Sequence, residues 1–264
     1  MTPEQLVAES VETLRGAWGS FARRFPGGRI EPLDGVSLLW ADVPLSFLNM
    51  ALLDTPCPDA GELRRRLDGT LAHLADAPHP WLACLCEEWV SDDWREVVEA
   101  AGLHVLMPMT GMVTEQLEPP RREPPSLDLR RVREPADRRS VGSLNDAAYV
   151  MPPGSCDCVL EPGFWPDDMY GALGATDGVD VSTATVFPVD DILYVALVAT
   201  HPDHGRKGYA EHVMRHAVEQ GGAELGLKRT LLHASEAGRP IYAAMGYAET
   251  SRFALLSTEP PPEH

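Results

Sequence analysis

Six consecutive residues, Gly205, Arg206, Lys207, Gly208, Tyr209 and Ala210, combine two glycines with two cations. Glycine lets the backbone come close to an anion and adopt turns that other residues avoid. Where such a run opens a helix, the unpaired N–H groups and the helix dipole add to the attraction. The chemistry this composition suits is the holding of a phosphate, a signal that many strand-loop-helix folds share. Other reactive side chains are sparser. Cys84-Leu85-Cys86 alternates within an apolar run and reads as packing. Cys156-Asp157-Cys158 follows two prolines in a loop, where metal binding or redox chemistry is open to it, but zinc sites use a wider spacing. His212 and His216 lie four apart on one helix face with no third ligand evident, so they read as a solvated face, and no metal is expected.

The phosphate-type run needs a frame on each side. Before it, Ile192, Tyr194, Ala196 and Val198 alternate with Leu193, Val195, Leu197 and Ala199. Apolar residues at both parities predict a central strand covered on both faces. After it, Ala210, Val213, Met214, Ala217 and Gly221 recur at three- and four-residue spacing, while Glu211, His212, Arg215 and His216 fall opposite, so an amphipathic helix is predicted. Downstream, Lys228 to Ala234 reads as a strand, Ile241, Tyr242 and Met245 as a helical patch ended by Gly246, and Tyr247 to Leu256 as a further strand.

This order, an apolar strand ending Val-Ala-Thr, a proline, Gly-Arg-Lys-Gly-Tyr-Ala opening a helix, then Ala-Ser-x-x-Gly and Tyr242-x-x-x-Gly-Tyr, resembles the GNAT superfamily of N-acetyltransferases. The resemblance covers Leu127 to about Ser257 and is strongest from Leu193 to Tyr247. Gly208 and Ala210 match the last two positions of the family's Q/R-x-x-G-x-G/A loop, while Gly205 stands where the family usually has Gln or Arg. The resemblance implies acetyl-CoA as cosubstrate. The amides of Gly205, Arg206, Lys207, Gly208, Tyr209 and Ala210 would meet its pyrophosphate, and the backbone of Leu197, Val198 and Ala199 would lie beside its pantetheine arm. It implies that Tyr242 donates a proton to the leaving thiolate, the other reading of Tyr242 being a packed core residue. It makes Tyr149, Phe164, Trp165 and Tyr170 candidate walls of an acceptor pocket, with ordinary core as the alternative. Many members carry a glutamate on or near the strand before the loop. Here its interior has no carboxylate, and Asp190, Asp191, His233 and Glu236 are the alternatives for a base.

The chain has 264 residues, enough for two ordinary domains. Residues 3–25 read as a helix with Leu6, Val7, Val11, Leu14, Trp18, Phe21 and Phe25 on a stripe. Val36 to Trp40, Leu45 to Leu52 and Trp81 to Cys86 read as strand-like, Glu62 to Ala75 and Asp92 to Ala101 as helices, with Ser91 the cap of the second. His104 to Leu117 returns as a strand. The closing strand-helix-glycine-strand echoes Arg229 to Leu256, a faint internal repeat, so residues 1–118 read as a degenerate GNAT-like half. No glycine and cation loop opens a helix there, and this half reads as a scaffold or dimerisation domain, which would make a homodimer. Residues 119–126, within Glu-Pro-Pro-Arg-Arg-Glu-Pro-Pro-Ser, form a proline-rich linker. Domain two, residues 127–264, opens with a strand at Leu127 to Val132, then a helix at Glu134 to Tyr149. Gly163 to Leu173 reads as a second helix, and Val179 to Phe187 pairs with Ile192 to Thr200 as a hairpin.

The expected fold class is α/β with a mixed sheet flanked by helices, in two tandem GNAT-like domains. The formal charge of -18 argues against nucleic-acid binding. No long apolar run opens the chain, so no membrane span is expected and the location reads as cytoplasmic. Lysine occurs only at Lys207 and Lys228 against many arginines, which suggests a GC-rich bacterial genome. The expected activity is acetyl transfer from acetyl-CoA to an amine-bearing small molecule or peptide. The alternative is a non-catalytic acyl-CoA-binding or regulatory protein of the same fold.

Overall fold

A computed structural model describes residues 1–260. The chain divides into two compact units. The first comprises residues 1–111, 233–239 and 249–264, of which the last four lie outside the described residues. The second comprises residues 112–232 and 240–248.

In the first unit, α1 (Pro3–Ala22) starts at a capping box. The Thr2 hydroxyl accepts from the Gln5 amide, and the Gln5 side chain accepts from the Thr2 amide at 2.8 Å. The strands β1 (Arg29–Leu33), β2 (Val36–Trp40), β3 (Asn49–Leu53) and β4 (Leu82–Cys86) lie in that order. The first three are antiparallel neighbours, and β3 runs parallel to β4. The last strand of the chain, β11 (Ala248–Ser257), pairs antiparallel with β4, Leu85 facing Ala254. The unit is therefore closed by a strand from beyond the linker, where a division at residues 119–126 would give that strand to the second half.

Strand alternation explains how both faces are covered. Leu39, Met50, Leu52, Cys84, Cys86, Phe253 and Leu255 pack with Val7, Val11 and Leu14 of α1. Their neighbours Leu38, Trp40, Ala51, Leu53, Ala83, Leu85, Ala254 and Leu256 pack on the other face. There they meet Leu63 and Leu67 of α2 (Ala60–His73) and Trp94 and Val98 of α3 (Trp94–Ala100). Cys84 and Cys86 are thus core residues, as their alternation suggests. Ser91 does not cap α3. The N-cap is Asp93, and the Ser91 hydroxyl is spent on the Asp93 carboxylate at 2.5 Å. The strand β5 (His104–Thr114) begins in this unit.

The second unit contains β6 (Asp128–Arg131), α4 (Pro135–Ala148), β7 (Tyr170–Thr176), β8 (Val179–Val189), β9 (Ile192–Thr200), α5 (Tyr209–Leu225), most of β10 (Thr230–Ala234) and most of the short α6 (Arg239–Ala244). Its strands run β10-β9-β8-β7-β6, antiparallel except for β9 and β10. A Cβ on Gly221 of α5 would meet Val186 of β8 and Tyr170 of β7, so these two residues face α5. Gly171, the next residue of β7, faces the other way, beneath the Trp165 ring. The expected helix over 163–173 is not formed. A single 3₁₀ turn covers Pro162–Phe164, and Tyr170 to Leu173 belongs to β7. Its sequence, Tyr-Gly-Ala-Leu-Gly-Ala-Thr, is small because α5 and Trp165 press on its two faces, and small residues hide a strand's alternation.

Candidate functional site

β9 leaves its neighbour part-way along. Thr230 pairs with Leu193 and Leu231 with Tyr194, and among the described residues no registered pair follows. On the other side the register with β8 slips, from Thr185 opposite Ala196 to Thr183 opposite Ala199. Two residues, Leu197 and Val198, therefore face one, which is a β-bulge. Leu197 has φ of 51°, in the left-handed region that a leucine rarely occupies. Ala196, Leu197 and Val198 are only half-buried in a strand whose first four residues are buried. The bulge and the parting thus leave the backbone of Leu197 to Ala199 free of β10.

The strand runs directly into the cationic loop. Pro202–His204 makes a 3₁₀ turn, Gly205 is extended, and Arg206 and Gly208 are left-handed at φ of 60° and 80°. Gly208 is the N-cap of α5, and no side chain caps this helix. A Cβ at Gly208 would find nothing beyond its chain neighbours nearer than Pro125 Cδ, at 3.9 Å, so the N-cap is uncrowded. His204 stacks on Tyr209 at 6.3 Å between ring centroids, its Nδ1 buried with no hydrogen-bond partner, and Lys207 Nζ lies 5.9 Å from the Tyr209 ring. Glu211, the acid of the first turn, is engaged by Arg215, whose Nε and Nη2 donate to it at 2.9 and 2.8 Å. An uncapped helix start, two cations without an ion pair among the described residues and a neutralised acid fit a diphosphate.

The first unit supplies an internal contrast. Its parallel pair, β3 and β4, stays closed: Met50, Ala51 and Leu52 pair with Leu82, Ala83 and Cys84, and a further bridge joins Cys57 to Val90. The Cys57 amide donates to the Trp89 carbonyl at 2.6 Å. The helix after it, α2, is capped by Asp59, whose carboxylate takes the Glu62 amide at 2.8 Å. A zipped strand pair and an anionic helix start offer neither a slot nor an anion site.

The other expected residues separate. Phe164 and Trp165 pack edge to face at 5.6 Å, and Trp165 Nε1 donates to the Val159 carbonyl at 2.7 Å. They lie on the face away from α5. Tyr170 lies on the α5 face, its hydroxyl 3.4 Å from His216 Nε2 and its ring under Arg131, so it is core and does not share a wall with Trp165. Tyr149 ends α4 and is 44% exposed. Tyr242, on α6, is buried, with its ring 6.1 Å from that of Tyr247. Burial raises the Tyr242 hydroxyl well above the ordinary tyrosine range, and the Tyr149 and Tyr247 phenols add to this. Tyr242 is protonated at neutral pH, as an ordinary tyrosine is, and its burial makes it a weaker acid.

No alternative base is well placed. Asp190 and Asp191 form the β8–β9 hairpin turn, at the end of β9 away from the loop. His233 is tied to the Ser10 hydroxyl at 3.2 Å and lies against Phe253. Burial lowers its pKa to about 3, which keeps it neutral. Glu236 lines a cleft of the first unit with Arg239, Glu249 and Arg252. Cys156 is held by its amide, which donates to Asp146 at 2.9 Å, and burial pushes its thiol far above the usual range. Among the described residues no group of three or more His, Cys, Asp or Glu is arranged for a metal.

One residue has no signature in the sequence. Thr185 pairs with Gly171 on one side and Ala196 on the other. It is fully buried, and its hydroxyl has no hydrogen-bond partner. Its small neighbours and its place beside the bulge, on the Trp165 face, put an unused donor next to the parted strand. Only the register reveals it.

Residues 152–247 match the model of the acetyltransferase (GNAT) family. Among solved structures, a GCN5-related N-acetyltransferase from Kribbella flavida superposes with a TM-score of 0.71 at 21% identity, over 98% of this chain and 96% of that one. A functionally unknown conserved protein from Staphylococcus epidermidis gives 0.65 at 12% identity, over 89% and 96%. A tandem GNAT protein from the clavulanic acid biosynthesis pathway gives 0.55 at 13% identity, over 89% and 82%. No curated protein matches the sequence. No helix among the described residues is long and apolar enough to cross a membrane. The chain thus has the fold of the GCN5-related N-acetyltransferases, and its residues 152–247 match the model of the acetyltransferase (GNAT) family.

Proposed function

We propose that the second unit is an acetyl-CoA-dependent N-acetyltransferase that moves an acetyl group to the amine of a small molecule or peptide by direct attack. The observation that carries this reading is the parting of β9 from β10 after Tyr194, immediately before an uncapped helix start at Gly208. A slot of free backbone beside an anion site suits a long thioester with a diphosphate at one end. The amides of Tyr209 and Ala210, with Arg206 and Lys207, bind the diphosphate. The backbone of Leu197, Val198 and Ala199 lies along the arm and orients the thioester. Holding the two reactants in register lowers the barrier by up to roughly 7–11 kcal/mol in well-oriented cases. The amine nitrogen forms the new bond to the carbonyl carbon, the carbon–sulfur bond breaks, and Tyr242 gives its proton to the sulfur. The amine's surplus proton passes to water, and the Tyr242 phenolate takes one back from water, which restores the phenol. The partners of this reading are small amine-bearing molecules or peptides in the cytoplasm, without nucleic acid or membrane.

Calorimetry with acetyl-CoA, followed by thiol release over a panel of amines, tests the reading. Micromolar binding, on the order of -8 kcal/mol, with turnover of at least one amine is expected. Binding without turnover would leave a non-catalytic acyl-CoA-binding protein, and no binding would remove the cofactor site altogether.

A further inference from the structure

The proline-rich linker has a place in the second unit that its composition does not announce. Its first residue is pinned twice: the Glu118 amide donates to the Met245 carbonyl at 2.9 Å, and Arg215 Nη1 of α5 donates to the Glu118 carbonyl at 2.7 Å. Near its end, Pro125 is the atom group closest to the open space at Gly208. The next turn of chain is anchored as well, since Leu127 packs against Gly174 of β7. The linker thus runs from Arg215 back to the N-cap of the same helix.

The two anchor points are seven residues apart on α5, about 10 Å along its axis. The linker joins them with seven residues rich in proline, whose extended length is about 22 Å. The segment therefore has slack between its anchors and can arch. The chain bends at Arg121 and Arg122, which are exposed and have no ion pair among the described residues. Most other arginines of this acidic protein are paired: Arg64, Arg65, Arg66, Arg130, Arg131, Arg215 and Arg252 all meet carboxylates. Arg206 and Lys207 of the loop are likewise without an ion pair among the described residues.

We infer that Arg121 and Arg122 bind the phosphates of the cosubstrate from the linker, making the arch one wall of the cofactor site. This inference rests on the proposed acetyl-CoA site. Phosphate suits a guanidinium pair, which offers several donors in a fixed fork. The segment would then join the halves of the chain and also hold the ligand in place over the uncapped helix.

The test compares two double variants that change the net charge equally. Arg121→Gln/Arg122→Gln removes the arch cations, and Arg15→Gln/Arg23→Gln removes two exposed cations from α1 and its C-cap. Acetyl-CoA binding is measured by calorimetry at low and moderate salt, and the melting temperature is recorded for each protein. The expected result is a roughly tenfold weaker Kd for the arch variant, a shallower dependence on salt, and unchanged binding by the α1 variant. Equal binding by the arch variant and the intact chain would overturn the inference and leave the cofactor site standing. Equal weakening in both variants would also overturn it, since net charge alone would then be the cause. Absence of binding to the intact chain would remove the site and the inference together.

Discussion

Gly208→Glu separates the electrostatics of the loop from its shape. The residue sits at φ of 80°, so any side chain with a Cβ costs about 1–2 kcal/mol of stability there. No clash adds to that, because the nearest atom to a new Cβ is Pro125 Cδ at 3.9 Å. The variant should fold, with a melting temperature lowered by a few degrees, about 2–4 °C per kcal/mol at this chain length. Its carboxylate would stand about 5 Å from a bound phosphate, which at an effective dielectric constant of ~20 is a repulsion of about 3 kcal/mol. Screening by salt reduces this to about 2 kcal/mol, roughly a thirtyfold loss of affinity. Gly208→Gln has the same strain and nearly the same volume without the charge. Acetyl-CoA titrations of the three proteins, with melting curves alongside, isolate the charge as the difference between Glu and Gln. If the two variants bind alike, the phosphate does not lie over the α5 N-terminus and the site is misplaced.

Four further outcomes follow from particular residues. Tyr242→Phe should lower kcat by about 10²-fold while the Kd for acetyl-CoA stays within twofold, and normal turnover would return Tyr242 to the core. Thr185→Val should raise the melting temperature, since it removes a buried hydroxyl without a partner at a gain of about 1 kcal/mol. It should also raise KM for the amine. A drop in stability would show the hydroxyl to be satisfied. Val150, at φ of 54° and 91% exposed, occupies the helix-end position that glycine usually fills, and Val150→Gly should stabilise the fold by about 1 kcal/mol in thermal or urea unfolding. His233 is neutral and half-buried when folded, with a pKa of about 3, and titrates near 6.5 when unfolded. The unfolded chain therefore binds more protons below pH 6.5, and stability falls as the pH drops toward 3. At pH 5 the loss is about 2 kcal/mol. His233→Gln should flatten the fall in melting temperature between pH 7 and 5, and an unchanged slope would assign that fall to other groups.

Much of this molecule was legible from local pattern. The two-faced apolar run at Ile192–Thr200, the three- and four-residue spacing from Ala210 to Gly221, and the glycines between them specify a strand, a loop and a helix from short-range physics alone. The same holds for α1, α2 and α4, where stripes and caps agree. What escaped depends on partners distant in sequence. β7 was masked by small residues that α5 and Trp165 demand. β1, with its charges and proline, is a half-exposed edge strand without a clear alternation. The bulge at Leu197 carries no glycine to mark it, and the orphan hydroxyl of Thr185 exists only once its neighbours in register are known. The strand β11 was readable as a strand, but its pairing with β4 was not, because nothing in Arg252 to Leu256 names Leu85 as its neighbour.

That pairing governs how the protein can be made. During synthesis, β4 emerges well before β11 and waits beside an open edge until residues 248–257 have been translated. The first unit cannot finish folding before the second has been translated, and the contact that closes it is among the most distant in the chain, which slows its formation. A fragment cut at the linker would keep Leu85 and Cys84 on an apolar edge strand open on its β11 side, a template for association with other copies. The first unit is completed by a strand, Ala248–Ser257, that is translated after the second unit.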